Sequence, residues 1–223
     1  MFSVVLIISL ILLLLLIWAS ADIRSRVYVN SLCSVNCKEK KVAITFDDGP
    51  SQNTKSILEV LDRYNAKATF FLVGEKALND VESVKSIVNK GHSVANHSWS
   101  HSSLLPIKPV DDITKELLDT NKVLFEITGK ENIYFRPPFG VTNPLIAKSI
   151  KRTNMVSVGW SVRSFDTISW LPRRIICKRV VRKSKPGDII LLHDRVYQAD
   201  VLLENILKTL HNKGYVFVTV DEL

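Results

Sequence analysis

Short apolar runs alternate with longer amphipathic stretches from about residue 41 onward. The runs fall at 42–46, 68–73, 93–96, 133–135, 155–158, 189–192 and 215–218, and their length and bounding polar residues predict strands. Between them, 54–64, 75–89, 111–128, 144–151, 172–184 and 200–212 repeat apolar residues at helical spacing. Gly91 and Gly214 stand where helix C-caps belong. This alternation predicts an α/β domain with a mainly parallel sheet. No internal repeat, low-complexity linker or second domain interrupts it. In such sheets ligands sit at the C-terminal ends of the strands, so the chemistry is sought there.

The N-terminus has a different pattern. Residues 4–19 are almost wholly apolar, and no charged side chain precedes Asp22. Such a run is a membrane anchor or a signal peptide. Ala19-Ser20-Ala21 fits a cleavage site, but no Lys or Arg precedes the run, which is long and leucine-rich. The expected organisation is an uncleaved anchor helix over 1–21, a juxtamembrane segment over 22–40 and one domain over 41–223; secretion after cleavage near Ala21 is the alternative. Arg24 and Arg26 favour a cytoplasmic position for the residues C-terminal to the apolar run. The net charge of +8 is concentrated in 173–185, which holds seven Lys and Arg residues among helically spaced Ile and Val. That pattern predicts an amphipathic helix with a solvated basic face, or one lying near an anionic membrane or cell-wall polymer. No aromatic interleaving accompanies it, so nucleic acid is not an expected partner. Three cysteines, Cys33, Cys37 and Cys177, form neither a disulfide framework nor a zinc motif.

The predicted strand ends are rich in reactive side chains. The first ends in Asp47-Asp48, and strand alternation sends neighbouring side chains to opposite faces, so the two carboxylates should have different jobs. The third ends in His97-Ser98-Trp99-Ser100-His101, the fourth in Arg136-Pro137-Pro138-Phe139-Gly140, and the strand over 189–192 in His193-Asp194. Three of the five histidines lie at strand ends, while His92 and His211 read as surface residues near helix ends. On a helical turn, the His97/His101 spacing puts both rings on one face, able to share a metal ion. A carboxylate from another strand end would complete a His₂Asp site with an open position for water.

Taken in order, Thr45-Phe46-Asp47-Asp48-Gly49-Pro50, His97-Ser98-Trp99-Ser100-His101, Arg136-Pro137-Pro138-Phe139-Gly140 and Leu191-Leu192-His193-Asp194 resemble the polysaccharide deacetylases of carbohydrate esterase family four, the NodB-homology enzymes. The resemblance covers about residues 40–223. It implies a distorted (β/α) barrel of seven or eight strands and one divalent metal ion, most commonly zinc. It implies Asp48, His97 and His101 as metal ligands, Asp47 as general base, His193 as general acid, and Arg136 as the partner that orients and charge-pairs Asp47. Phe139 would offer a backbone N–H to the oxyanion, and Pro138, Phe139, Trp160 and Leu192 would contact the substrate. One motif departs: Arg163 stands where the family's Asp-x-x-Asp-Trp would have its first Asp, and Thr167 where it would have Trp. Asp166 and Asp194 are the carboxylates left to support the site from behind.

The function implied is metal-dependent hydrolysis of the N-acetyl group of an N-acetylhexosamine in a glycan such as peptidoglycan or a chitin-like oligosaccharide. The domain would be held outside the cytoplasm by its anchor. A xylan-type O-acetyl esterase and a deformylase of a lipid-linked amino sugar use related sites. An inactive glycan-binding module is disfavoured, because a binder needs neither base nor acid.

Overall fold

The computed structural model describes residues 2–223. A 20-residue helix, α1 (Phe2–Ala21), is long and apolar enough to cross a membrane, and its side chains from Val4 to Trp18 are exposed. The domain after it runs β1 (Lys41–Gly49), α2 (Thr54–Arg63), β2 (Thr69–Leu72), α3 (Gly74–Asn79), α4 (Val81–Asn89), β3 (Ser93–Asn96), α5 (Val110–Thr128), β4 (Tyr134–Phe135), α6 (Pro144–Thr153), β5 (Val156–Ser157), β6 (Val162–Arg163), α7 (Arg173–Lys183), β7 (Ile189–His193), α8 (Ala199–His211) and β8 (Val216–Val218). The strands lie in the order β5-β4-β3-β2-β1-β7-β6, with β8 paired to the first residues of β1, and every pairing between them is parallel.

Strand alternation sorts the core into an outer and an inner layer. Val42, Ile44 and Phe46 of β1, Phe70 and Leu72 of β2, and Ile190 and Leu192 of β7 join the cluster under the helices. Ala43, Phe71, Ala95 and Ile189 point the other way, into the barrel. The barrel does not close on itself, since β5 and β6 are not bonded. Residues 31–35 fill that seam: Leu32 bridges Val158 and Ser34 bridges Asp188. Leu32 N–H donates to Ser157 O (2.8 Å), Gly159 N–H to Leu32 O (2.9 Å), and Val35 N–H to Gly187 O (2.9 Å). Within the stretch 22–40, residues 31–35 are therefore bonded to both edges of the seam rather than hanging free.

Three other expectations change. The single helix expected over 75–89 is two, because Asp80 leaves helical geometry and its carboxylate accepts from Ser83 N–H as the cap of α4. β6 has no counterpart among the expected strands, its two residues being too few to leave a pattern. His92 is buried rather than at the surface, with its ring edge-on to Phe70 and Nδ1 accepting from Ala68 N–H. Helix α7 forms where the basic stretch predicted it, burying Ile176 and Val180 while Ile175 stays exposed.

Candidate active site

The C-terminal ends of β1, β3 and β7 and the loops after β4 and β5 converge on one cavity of about 260 Å³. Asp47, Asp48, His97, His101, Phe139, Trp160 and His193 all line it. Asp47 and Asp48 do not face opposite ways. The β1–β2 register slips between Phe46 and Gly49, a β-bulge, and Asp48 adopts φ 73°. Both carboxylates then reach the same imidazole, with His97 Nε2 3.7 Å from Asp47 and 3.4 Å from Asp48. The strand-alternation argument fails here because the bulge adds a residue where the ladder would have enforced it.

His97 and His101 are likewise not on a helix. They lie in a loop in which Ser98 (φ 64°) and His101 (φ 50°) are left-handed. Phe139 (φ 60°) and Phe165 (φ 66°) share that strained geometry, so left-handed non-glycine residues gather around this cavity. His101 Nε2 lies 3.0 Å from Asp48. His97 Nδ1 lies 2.8 Å from the carbonyl oxygen of Arg136. A carbonyl only accepts, so Nδ1 carries the proton and Nε2 presents its lone pair to the cavity. One donor atom from each of Asp48, His97 and His101 lies within 4.8 Å of the others. Two imidazole nitrogens and a carboxylate oxygen at this spacing fit a divalent ion with room for a further ligand. Burial works to raise the Asp48 carboxyl, but its close contacts with His101 and His97 and the hydrogen bond from Arg195 outweigh it and hold the group well below the usual carboxylate range.

Behind Asp47 stands Arg136, fully buried. Its guanidinium donates to Asp47 (2.6 Å), Thr45 Oγ1 (2.8 Å), Val158 O (3.2 Å) and Gly159 O (2.8 Å), and lies 3.9 Å from the Phe71 ring centre. A buried charge needs this full set of partners. Desolvation lowers the Arg136 pKa, and the Asp47 charge and hydrogen bond act against that fall. Opposite, His193 Nδ1 meets Asp166 Oδ1 at 2.8 Å, and its backbone N–H donates to Oδ2 at 2.7 Å. Burial opposes the imidazolium, but the Asp166 hydrogen bond and charge, then Asp47 and Asp48, outweigh it and raise the His193 pKa.

The structure places the remaining candidates differently. Leu192 faces the helical core, and Leu191 lines the cavity, packed with Trp160, because residues 191 and 193 share one face of β7. Pro138 is buried behind the turn that presents Phe139, away from the lining. Asp194 lies beneath β1: Thr54 Oγ1 donates to it (3.1 Å), its other oxygen has no partner, and a Cβ on Gly49 would come within 2.4 Å of it. Burial pushes its carboxyl up to about 7. Asp166, not Asp194, supports His193, and Arg163 lies on the cavity rim with its guanidinium 5.2 Å from the Phe165 ring centre. Arg195, which no sequence motif singled out, also lines the cavity and donates to Asp48 Oδ2 at 2.5 Å. Its position two residues past His193 was the available signal. Gly140 is required where it stands, since a Cβ there would lie 2.4 Å from the Trp160 ring.

The fold and this site define the class. The family profile described as polysaccharide deacetylase matches residues 34–158, and the chain belongs to that family. It is 38% identical over 192 residues to a peptidoglycan-N-acetylglucosamine deacetylase of Bacillus cereus, covering 83% of this chain and 88% of that one. It is 37% identical over 187 residues to the peptidoglycan-N-acetylglucosamine deacetylase PgdA of Listeria monocytogenes, covering 82% of this chain but only 39% of the longer relative. The peptidoglycan deacetylase PdaC of Bacillus subtilis superposes with a TM-score of 0.77 at 33% identity, over 84% of this chain and 91% of that structure.

Proposed function

We propose that this chain is a metal-dependent deacetylase of N-acetylated amino sugars in peptidoglycan, acting outside the cytoplasm. The observation that carries the reading is the flanking of one Asp-His-His cluster by two separately supported groups: Asp47 on Arg136, and His193 on Asp166. The relatives named as peptidoglycan deacetylases support the substrate.

Asp48, His97 and His101 would hold the ion, and zinc suits two imidazoles and a carboxylate. When bound, it would polarise the acetyl carbonyl and lower the pKa of a coordinated water from 15.7 towards about 7. Asp47 accepts the proton of the attacking water, and Arg136 fixes the carboxylate for that transfer. The Phe139 N–H donates to the carbonyl oxygen as it gains charge. His193 then gives its Nε2 proton to the departing sugar nitrogen, with Asp166 holding Nδ1–H. Acetate and a free amine result. An amide needs this protonation more than an ester does, because an amine anion is a poor leaving group. Trp160 and Leu191 supply the apolar wall for the acetyl methyl.

Retention of α1 is part of the reading. Ala19 is buried against the domain, and Ser20 O accepts from Thr142 N–H at 3.0 Å. Cleavage after Ala21 would remove both contacts. The test is mass spectrometry of muropeptides, N-acetylglucosamine oligomers and acetylated xylan after incubation with the zinc-loaded full chain. Loss of acetyl from the amino sugars is the expected result. Loss from xylan alone would replace the reading with an esterase, and loss from none would remove it.

A further inference from the structure

A cleft of about 510 Å³ lies beside the catalytic cavity, lined by Arg24, Arg163, Arg179, Arg182, Lys183 and Lys185. Its one carboxylate, Asp188, is already engaged, with Ser161 Oγ donating to one oxygen (2.7 Å) and Lys185 N–H to the other (2.6 Å). Arg24 pairs with Asp22 at 2.8 Å. Among the described residues no carboxylate ion-pairs with the other five cations, and 173–185 contains no acid at all. Two of the five are held in place. Arg179 donates to Arg163 O at 3.1 Å, and their guanidiniums lie 4.4 and 5.2 Å from the Phe165 ring centre. So many unmatched, partly fixed cations in one concavity make a site for phosphate or another multiply charged anion.

The position of the cleft says which anion. Arg24 lies three positions past the last residue of α1, so it belongs at the level of lipid headgroups when α1 spans a bilayer of about 30 Å. The joint between helix and domain is stiff: Ala19 and Ile23 are buried, Ile23 packs with Cys33, Trp160 and Leu191, and Thr142 binds Ser20 O. Arg163 lines both the cleft and the catalytic cavity. We propose that this cleft binds the phosphates of anionic phospholipids in the bilayer that α1 enters, and so holds the catalytic cavity at the membrane surface. The sugars within reach are then those of glycan strands close to the membrane. The proposal rests on α1 remaining attached, but not on which acetyl group the enzyme removes.

The test uses the full chain, checked by intact mass, in nanodiscs of phosphatidylcholine alone or with phosphatidylglycerol added. Lys183 and Lys185 are labelled with an amine-reactive reagent and read by peptide mass spectrometry. Several-fold protection in the anionic discs, fading as salt rises, is expected. Each basic residue near an anionic surface strengthens the contact about fivefold. Arg182→Gln with Arg179→Gln should therefore weaken the protection by more than tenfold in relative affinity while deacetylation of a soluble oligosaccharide persists. Equal labelling in both discs overturns the proposal. So does equal protection by inorganic phosphate or a soluble polyphosphate added to neutral discs, which would assign the cleft to a soluble polyanion. If the double variant loses its fold, the lone exposed change Arg182→Gln is read in the same way.

Discussion

The catalytic cavity and the basic cleft share Arg163, yet they treat charge in opposite ways. In the cavity every ionic group of the proposed catalytic set has an internal partner: Asp47 with Arg136, Asp48 with two histidines and Arg195, and His193 with Asp166. In the cleft most cations have none. Matched and buried charges fix geometry for chemistry inside the protein, at a cost that only full pairing offsets. Unmatched and exposed ones leave attraction available for something outside. The same arginine chemistry serves both ends because burial decides which role it takes.

The largest effect should come from breaking the pairing of roles in Asp47 and Asp48. Asp47→Asn keeps the three ligand atoms and is expected to retain bound metal while kcat falls by roughly 10²–10⁴. Asp48→Asn should weaken metal binding itself. Metal content by atomic emission and kcat measured together separate the two; equal metal loss in both would mean the bulge makes the carboxylates interchangeable. His101→Ala should lose metal and activity together, beyond the roughly 10–100-fold typical of a residue behind the ligands. A His101→Ala protein with stoichiometric metal and full turnover would sink the ligand set.

Next comes stability. Arg136→Met leaves the buried Asp47 without its cation and should cost about 3–5 kcal/mol, as removal of one member of a buried pair does. Arg182→Gln, in the exposed cleft, should stay within about 0.5 kcal/mol. Urea unfolding midpoints for the two variants test the contrast directly. A small cost at Arg136 would mean that water reaches Asp47 freely.

What was readable from the sequence divides along the same line. Motifs at strand ends located Asp47, Asp48, His97, His101, Arg136 and His193, and periodicity located the strands that carry them, because both signals are local. Features set by distant contacts were not readable. The seam segment at 31–35 makes only two isolated bridges and leaves no strand pattern, and its partners Val158 and Asp188 lie far along the chain. The bulge at Asp47-Asp48 shows only in the register against β2. The choice of Leu191 over Leu192 was open to a two-residue count back from His193, and motif resemblance overrode it. Arg163 looked like a loss at the acid because alignment by spacing compared it with an Asp; the loop through Phe165 brings Asp166 to His193 instead.

The smallest effect concerns that last contact. Asp166→Asn keeps an oxygen that can accept from His193 Nδ1–H but removes the charge. Burial then acts on the imidazolium without its main counterweight, so the His193 pKa should fall. Because the proposed mechanism uses His193 as the protonated acid, the alkaline limb of kcat/KM should move to lower pH, while the acid limb stays. Stability should track the same group. A folded pKa raised above the unfolded value near 6.5 means that the imidazolium's contribution is fully present below that pH and is lost as pH rises through the folded pKa. Wild type should therefore lose more stability than Asp166→Asn across that interval, with Asp194 adding a fall of the same sign, between its unfolded value and about 7, in both proteins. The measurement is a set of pH–rate profiles at constant metal and of unfolding midpoints against pH for the two proteins. An alkaline limb that does not move would show that Asp166 positions the ring without charging it, and the matched-charge account of the cavity would then hold for Asp47 and Asp48 but not for the acid.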